Sequence, residues 1–450
     1  MEKRSSFTGK LGFVLAAAGS AVGLGNIWRF PYLSAKYGGG IFLLVYIILS
    51  LTFGFSLMLG EIALGRKTGL SAIGAFKKIS KKYSFIGVIV SIIPIIILPY
   101  YSVIGGWVTK YLFTFASGNG ALSSGEGYFE AFISSNAEPV LWFCIFIGIT
   151  AIIVMLGVVK GIEGVSKIMM PVLAILSVVI AVYVMFMPGA WQGVIYYIKP
   201  DFSKLSVMTV VSAMGQLFYS MSLAMGIMIT YGSYMKKDVN LEKSVHNIEI
   251  FDTGIAFVAG LMIVPAVFAF SGGDEQALGK GPGLMFITLP KVFETMAGGQ
   301  IIGALFFLLV FFAALTSSVS LMETVVSIVQ DKLKLNRKAI CLIVLLFCIA
   351  LGLPSTLGYG VWQGFKIMGL QLLDFFDFIS NSILMPISAL LTCFFIGYKI
   401  KPSYIIDEVE LNGKFKGKKL FSAMIKYIAP VCLTVILISS ILDVLGILKI

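Results

Sequence analysis

The sequence predicts an all-α polytopic membrane protein with about eleven transmembrane helices. Three observations carry that reading. Hydrophobic residues make up 58% of the 450, and mean hydropathy is +0.97, far above a soluble chain. Apolar runs long enough to cross the roughly 30 Å hydrocarbon core of a bilayer recur along the whole length. Lys and Arg gather in every second connection, which is how membrane topology is written in sequence. The formal charge of +12 is thus a topology signal and gives no reason to expect nucleic acid as a partner.

The apolar runs, numbered as helices 1 to 11, cover 11–37, 40–65, 84–116, 139–158, 164–187, 206–233, 247–271, 299–331, 338–354, 366–398 and 422–446. Basic clusters at Lys3/Arg4/Lys10, Arg66 to Lys82, Lys160/Lys167, Lys236/Lys237/Lys243, Lys332 to Lys338 and Lys399 to Lys419 mark cytoplasmic connections. The stretch from Ser117 to Pro139 has no Lys or Arg and carries Glu126, Glu130 and Glu138, so it belongs outside. The expected location is the plasma or inner cell membrane, with the amino end cytoplasmic and, after an odd number of helices, the carboxyl end outside. No signal-peptide cleavage site follows the first apolar run. The cysteines Cys144, Cys341, Cys348, Cys393 and Cys432 show no metal-like spacing and read as packing residues.

Helix 1 holds the chain's most unusual stretch, Gly19-Ser20-Ala21-Val22-Gly23-Leu24-Gly25-Asn26-Ile27-Trp28-Arg29-Phe30-Pro31. Glycines weaken a helix, and bared backbone at membrane depth is tolerated only where it lines a protein-enclosed cavity. Close helix crossing is the other use of such glycines; Asn26 and Arg29 favour a site, because polar groups inside a membrane are usually functional. Helix 6 has its own interruption at Ser220-Met221-Ser222-Leu223-Ala224-Met225-Gly226. Paired interruptions in corresponding positions point to an inverted-repeat transporter site. In helix 5, Gly161 and Pro171 imply either local unwinding or a fixed kink. The apolar segment Leu284 to Leu289 implies a loop that packs down, as a lid or as a cover over helix ends.

Ser-Ala-Val-Gly-Leu-Gly-Asn-Ile-Trp-Arg-Phe-Pro-Tyr, followed by Gly38-Gly39-Gly40, closely resembles helix 1 of the neurotransmitter:sodium symporters, in particular their bacterial amino-acid transporters. The likeness extends through further motifs along the chain. It implies a single transporter domain over 1–450, with one repeat at about 7–187, an inverted second at about 205–398, and an added helix 11 at about 421–447. Helices 1 and 6 would be the broken pair. The implied function is uptake of neutral apolar or aromatic amino acids coupled to sodium, by alternating access and without enzymatic chemistry.

The resemblance also implies a site. Sodium is a hard cation that takes oxygen ligands. One sodium would use Ala21, Asn26 and Ser220, together with Asp252 at the place where the archetypal bacterial member has Asn. A second would use Gly19, Val22, Ala313, Thr316 and Ser317. Eukaryotic members bind chloride near the positions of Tyr46, Gln216 and Ser220; the carboxylate of Asp252 would replace it, so no chloride requirement is expected. The amino-acid substrate would meet Ala21, Gly23, Leu24, Gly25, Ile97, Tyr101, Tyr219, Ser220, Ser222, Met225, Ser317 and Leu321. Arg29 with Asp377 would form an outer gate, and Arg4 with Asp331 an inner one, unless the latter is a solvated surface pair. Phe7 and Tyr234 match inner-gate aromatics, Glu61 a glutamate bracing the helix breaks, and His246 falls in a cytoplasmic loop. A carrier of small aliphatic amino acids and an ion channel are the alternatives. The channel lacks the repeated loops such pores use.

Overall fold

The computed structural model describes residues 6–273, 282–333 and 335–444. Among the described residues helices carry the architecture, and the β pairing consists of two isolated bridges. Among the described residues nine helices are long and apolar enough to span a bilayer: helix 2 (Gly40–Thr68), helix 3 (Lys81–Ala116), helix 4 (Glu138–Met155), helix 5 (Val158–Met185), helix 7 (Leu241–Ser271), helix 8 (Gly299–Lys332), helix 9 (Arg337–Leu357), helix 10 (Leu372–Lys399) and helix 11 (Lys418–Leu442). Helix 1 is a bent pair, Lys10–Ala21 and Gly25–Lys36, meeting at 56°. Helix 6 is a second interrupted pair, Val207–Ser220 and Ile227–Ser233. Counting both pairs gives the eleven crossings expected.

Each break has a local cause. In helix 1 the last regular bond of the first half runs from Val22 N to Ala18 O, 2.7 Å, after which Val22 turns extended. The second half opens with a wide π turn over Gly25–Arg29. Pro31 has no N–H for the carbonyl four residues back, which favours that widened turn. In helix 6, Ser222 (φ 52°) and Ala224 (φ 61°) are left-handed without being glycine. Such residues persist only where their surroundings impose the conformation.

The second half of helix 6, Ile227–Ser233, is pressed against helix 2. A side chain on Gly65 would meet Ile229 O at 1.9 Å, and one on Gly232 would meet Ile62 O at 2.3 Å. The two glycines let the backbones touch, as close membrane crossings require. Nearby, the fully buried Arg66 pairs with Glu408 at 2.8 Å and donates to Val239 O at 2.8 Å. This contact ties the short helix Lys401–Val409 to helix 2.

On the opposite side, Leu284, Met285 and Phe286 are buried. The Phe286 ring sits 5.0 Å from those of Tyr111 and Phe129, 5.9 Å from Trp107 and 6.3 Å from Trp28. The apolar loop therefore packs inward against helix 3 and the π turn of helix 1; its neighbours 274–281 lie outside the described residues.

Several expected boundaries are corrected. Helix 5 begins at Val158, so Lys160 lies on its first turn; it opens with a wide π turn over Val158–Glu163 that includes Gly161, and runs through Pro171 as regular α-helix. Helix 10 begins at Leu372, because residues 358–371 form turns. His246 belongs to helix 7, where its ring stacks on Phe55 at 4.2 Å. The expected end of helix 11, at 445–447, falls outside the described residues.

The crossing of helices 2 and 6 yields a paired prediction. Gly65→Ala, whose Cβ meets backbone, should destabilise by about 1–3 kcal/mol and lower the thermal midpoint of the detergent-solubilised protein. Gly148→Ala, whose Cβ meets nothing within 4 Å, should leave the midpoint unchanged. Equal midpoints for the two variants would refute the close crossing.

Candidate functional site

Between the two breaks lies a small cavity of about 30 Å³. All twelve residues expected to meet a substrate line it: Ala21, Gly23, Leu24 and Gly25 from helix 1, Ile97 and Tyr101 from helix 3, Tyr219, Ser220, Ser222 and Met225 from helix 6, and Ser317 and Leu321 from helix 8. Asn26 lines it as well, with Ser20 and Ile227, two residues that sequence reasoning did not include. Gly23 is there because of space. A Cβ on it would stand 2.8 Å from Ser317 Oγ and 3.2 Å from the Tyr101 hydroxyl. The Leu24 N–H points at that same hydroxyl, 3.5 Å away.

Three of the four residues expected around one cation are directly joined. Asn26 Nδ2 donates to Asp252 Oδ1 at 2.8 Å, and Ser220 Oγ donates to both carboxylate oxygens at 3.0 and 3.1 Å. Ala21 lies on the same cavity wall. Tyr46 adds a longer contact to Oδ2 at 3.5 Å. These donors are neutral, and among the described residues no cationic side chain pairs with this fully buried carboxyl group. Of the trio Tyr46, Gln216 and Ser220, only Gln216 makes no contact with Asp252. It donates to Gly25 O at 2.9 Å and links helix 6 to helix 1.

Of the second expected set, Gly19 and Val22 meet Ser317 directly. Its hydroxyl lies 3.5 Å from Gly19 O, 3.1 Å from Ser20 O and 3.3 Å from Val22 O. Thr316 Oγ1 instead bonds within helix 8, to Phe312 O at 2.9 Å and Ala313 O at 3.2 Å. Its Cβ nevertheless stands 3.2 Å from where a side chain on Gly19 would be. Carbonyl and hydroxyl oxygens thus converge here without any charged group, a donor set suited to a weakly charged hard ion.

Glu61 holds the helix 6 break. It is buried and accepts the Ala224 N–H at 2.7 Å, while Ser388 Oγ donates to Ala224 O at 2.8 Å. Both polar groups of the strained residue are thereby satisfied. Glu61 is therefore deep in the bundle, although residue counting alone sets it nearer the inner interface.

The gate residues are only partly as expected. Arg29 lies over the Tyr219 ring at 5.2 Å, and Asp377 Oδ1 accepts from Asn381 at 2.6 Å; the two are not joined in a direct ion pair. Arg4 lies outside the described residues, whereas Asp331 accepts the Ser71 N–H at 3.0 Å. Phe7 is buried against Tyr231 and Tyr234, and its N–H donates to Tyr234 O at 3.1 Å. Beneath it lies a network that sequence reasoning missed: Tyr234 donates to Glu323 at 2.7 Å, and Arg337 pairs with the same buried Glu323. Glu163, which accepts from the Thr8 N–H at 2.9 Å and pairs with Lys167 at 2.7 Å, was missed too. A carboxylate inside an apolar run was the available signal for both.

If Glu61 braces the break as described, Glu61→Ala should lower stability by about 1–3 kcal/mol, the penalty of an orphaned buried donor. Glu61→Gln retains an acceptor oxygen and should restore most of that loss in a thermal melt. Indistinguishable melting of both variants would contradict the bracing role.

Comparison with known proteins agrees with this architecture. The profile of the sodium:neurotransmitter symporter family matches residues 4–125 and 132–447. An uncharacterised sodium-dependent transporter of Bacillus subtilis strain 168, YhdH, is 34% identical over 100% of this chain and 99% of its own. Another, from Haemophilus influenzae, is 31% identical over 98% of each. Among solved structures, that of MhsT in complex with L-phenylalanine superposes with a TM-score of 0.88 at 37% identity, covering 97% of this chain and 100% of MhsT. With its two broken helices and this breadth of match, the chain belongs to the sodium:neurotransmitter symporter family, whose members are transporters and not enzymes.

Proposed function

We propose that this protein is a sodium-coupled symporter that takes up neutral apolar or aromatic amino acids by alternating access. The observation that carries the reading is the convergence of both helix breaks and Ser317 on one cavity, with Asp252 bonded behind it to the lining residues Asn26 and Ser220. The likeness to MhsT, solved with L-phenylalanine, supports an amino acid as the cargo. In this reading the halves at about 7–187 and 205–398 are inverted repeats in the cell membrane, with the amino end cytoplasmic and the carboxyl end outside. Ala21, Asn26, Ser220 and Asp252 hold one sodium. Gly19, Val22, Ala313, Thr316 and Ser317 hold the other. Arg29 and Asp377 close the outer path, and Arg4 with Asp331 closes the inner one.

The substrate carboxylate lies against the first sodium and the helix 1 amides, at the positive end of a half-helix. The protein offers no carboxylate of its own at Gly23, and the space there is already taken by Ser317 and Tyr101. Met225 is unbranched and can re-pack around different side chains. The smallness of the cavity, about 30 Å³, favours a second reading in which small aliphatic amino acids are preferred; competition by alanine, leucine and tryptophan separates the two.

Binding should require the substrate's own carboxylate. In sodium, tyrosine should displace a labelled amino acid from the purified protein and tyramine should not, the difference exceeding about 100-fold in concentration, as for loss of a charge-assisted contact of roughly 3 kcal/mol. Equal displacement by tyramine would refute this placement of the carboxylate.

Transport should be independent of chloride, because Asp252 supplies the negative charge in place. Replacing chloride by gluconate should leave uptake by proteoliposomes unchanged, and Asp252→Asn should reduce it or make it chloride-dependent. Strong chloride stimulation of the unmodified protein would reject the role given to Asp252.

A further inference from the structure

A groove of about 300 Å³ opens on the lysine-rich side of the bundle, between the first turns of helix 3 and the last turns of helix 10. Tyr83, Phe85, Leu391, Phe394, Tyr398 and Lys399 line it. Its base is firm: Phe395 is buried and packs on Tyr83 at 5.5 Å and on Phe76 at 5.1 Å. Its outer wall faces away from the protein, with Phe85 48%, Phe394 47% and Tyr398 54% exposed. Aromatic side chains exposed at the ends of spanning helices occupy the interfacial zone of a bilayer. The groove therefore opens toward lipid at headgroup depth.

The charged residue in its lining is a lysine, and further lysines stand nearby. Lys399 Nζ is held 5.7 Å over the Tyr83 ring. Lys81 and Lys82 are exposed on the turn just before Tyr83. Helix 11 brings Lys426 alongside, its carbonyl accepting from the Tyr398 hydroxyl at 2.8 Å. Elsewhere on this side, Lys167, Lys237 and Lys418 are each paired with a carboxylate. Among the described residues Lys81, Lys82, Lys399 and Lys426 are in no such pair. An apolar trough beneath a cluster of uncompensated lysines matches a molecule with a hydrocarbon chain and an anionic head, and basic pockets between membrane helices recognise such lipids. We propose that the groove is a binding site for an anionic phospholipid. Its acyl chain runs along Phe85, Leu391 and Phe394, and its phosphate lies among Lys81, Lys82 and Lys399. A zwitterionic lipid would set its own cation against these lysines and bind less well.

The test uses the full chain in nanodiscs of phosphatidylcholine containing spin-labelled phosphatidylglycerol or phosphatidylcholine with the same chains. The unmodified protein should immobilise phosphatidylglycerol preferentially. Lys399→Ala should cut that preference about fivefold, the effect of one lysine near an anionic headgroup. The combined Lys81→Ala, Lys82→Ala and Lys399→Ala variant should abolish it, while Lys399→Arg retains it. A control with Lys332→Ala and Lys338→Ala, also on this side, should keep the preference, and sodium-dependent amino-acid binding should persist in every variant as the check on folding. The proposal is overturned if the unmodified protein shows no preference for phosphatidylglycerol or the triple variant keeps it. It is equally overturned if the control loses the preference as fully as the triple variant does, or if inorganic phosphate displaces the lipid.

Discussion

Every backbone N–H and C=O laid bare inside a membrane must find a partner within the protein, and this structure is arranged around two places where that demand is most severe. At the helix 1 break, Asn26 folds back to accept the Gly23 N–H at 3.1 Å, Gln216 donates to Gly25 O, and Ser222 donates to Ser20 O at 2.8 Å. At the helix 6 break, Glu61 and Ser388 serve Ala224. These partners come from helices 1, 2, 6 and 10, so those helices must approach closely and keep their registers. The oxygens that remain around Ser317 are the ones available to a bound ion.

The two candidate ion positions differ in electrostatic character. One is built on a full carboxylate surrounded by neutral donors; the other is built on carbonyls and hydroxyls alone. A carboxylate deep in a membrane helix carries an insertion penalty of about 2.5–3.5 kcal/mol, which the Asn26 and Ser220 contacts at Asp252 offset. The position without formal charge has no such penalty and a weaker local field.

Much of the site was legible because its residues are anomalies in apolar surroundings. Glycines, a proline and an asparagine within helix 1, and serines with a glycine within helix 6, stand out against leucine and isoleucine. Depth can also be counted along a helix, as for Arg29 and Asp377. Direction around the helix axis cannot, which is why the contact of Arg29 with the Tyr219 ring and that of Glu61 with the Ala224 N–H were not readable from the sequence. Contacts between residues remote in sequence, such as Arg66 with Glu408 or Tyr234 with Glu323, leave no periodic trace. In helix 5 the sequence left a kink and an unwound turn equally open, because a Gly–Pro spacing fits both.

The crossing of Gly65 and Gly232 bears on how a sequence of this kind can drift. Most tight contacts pair one side chain with another, so enlarging one can be accommodated by shrinking its neighbour. Here each glycine faces a main-chain carbonyl of the opposite helix, and no substitution removes a carbonyl. Compensation by a second mutation is closed off, and the two positions are held independently of each other. Lineages descending from this chain can leave these two glycines only by re-spacing the helices themselves.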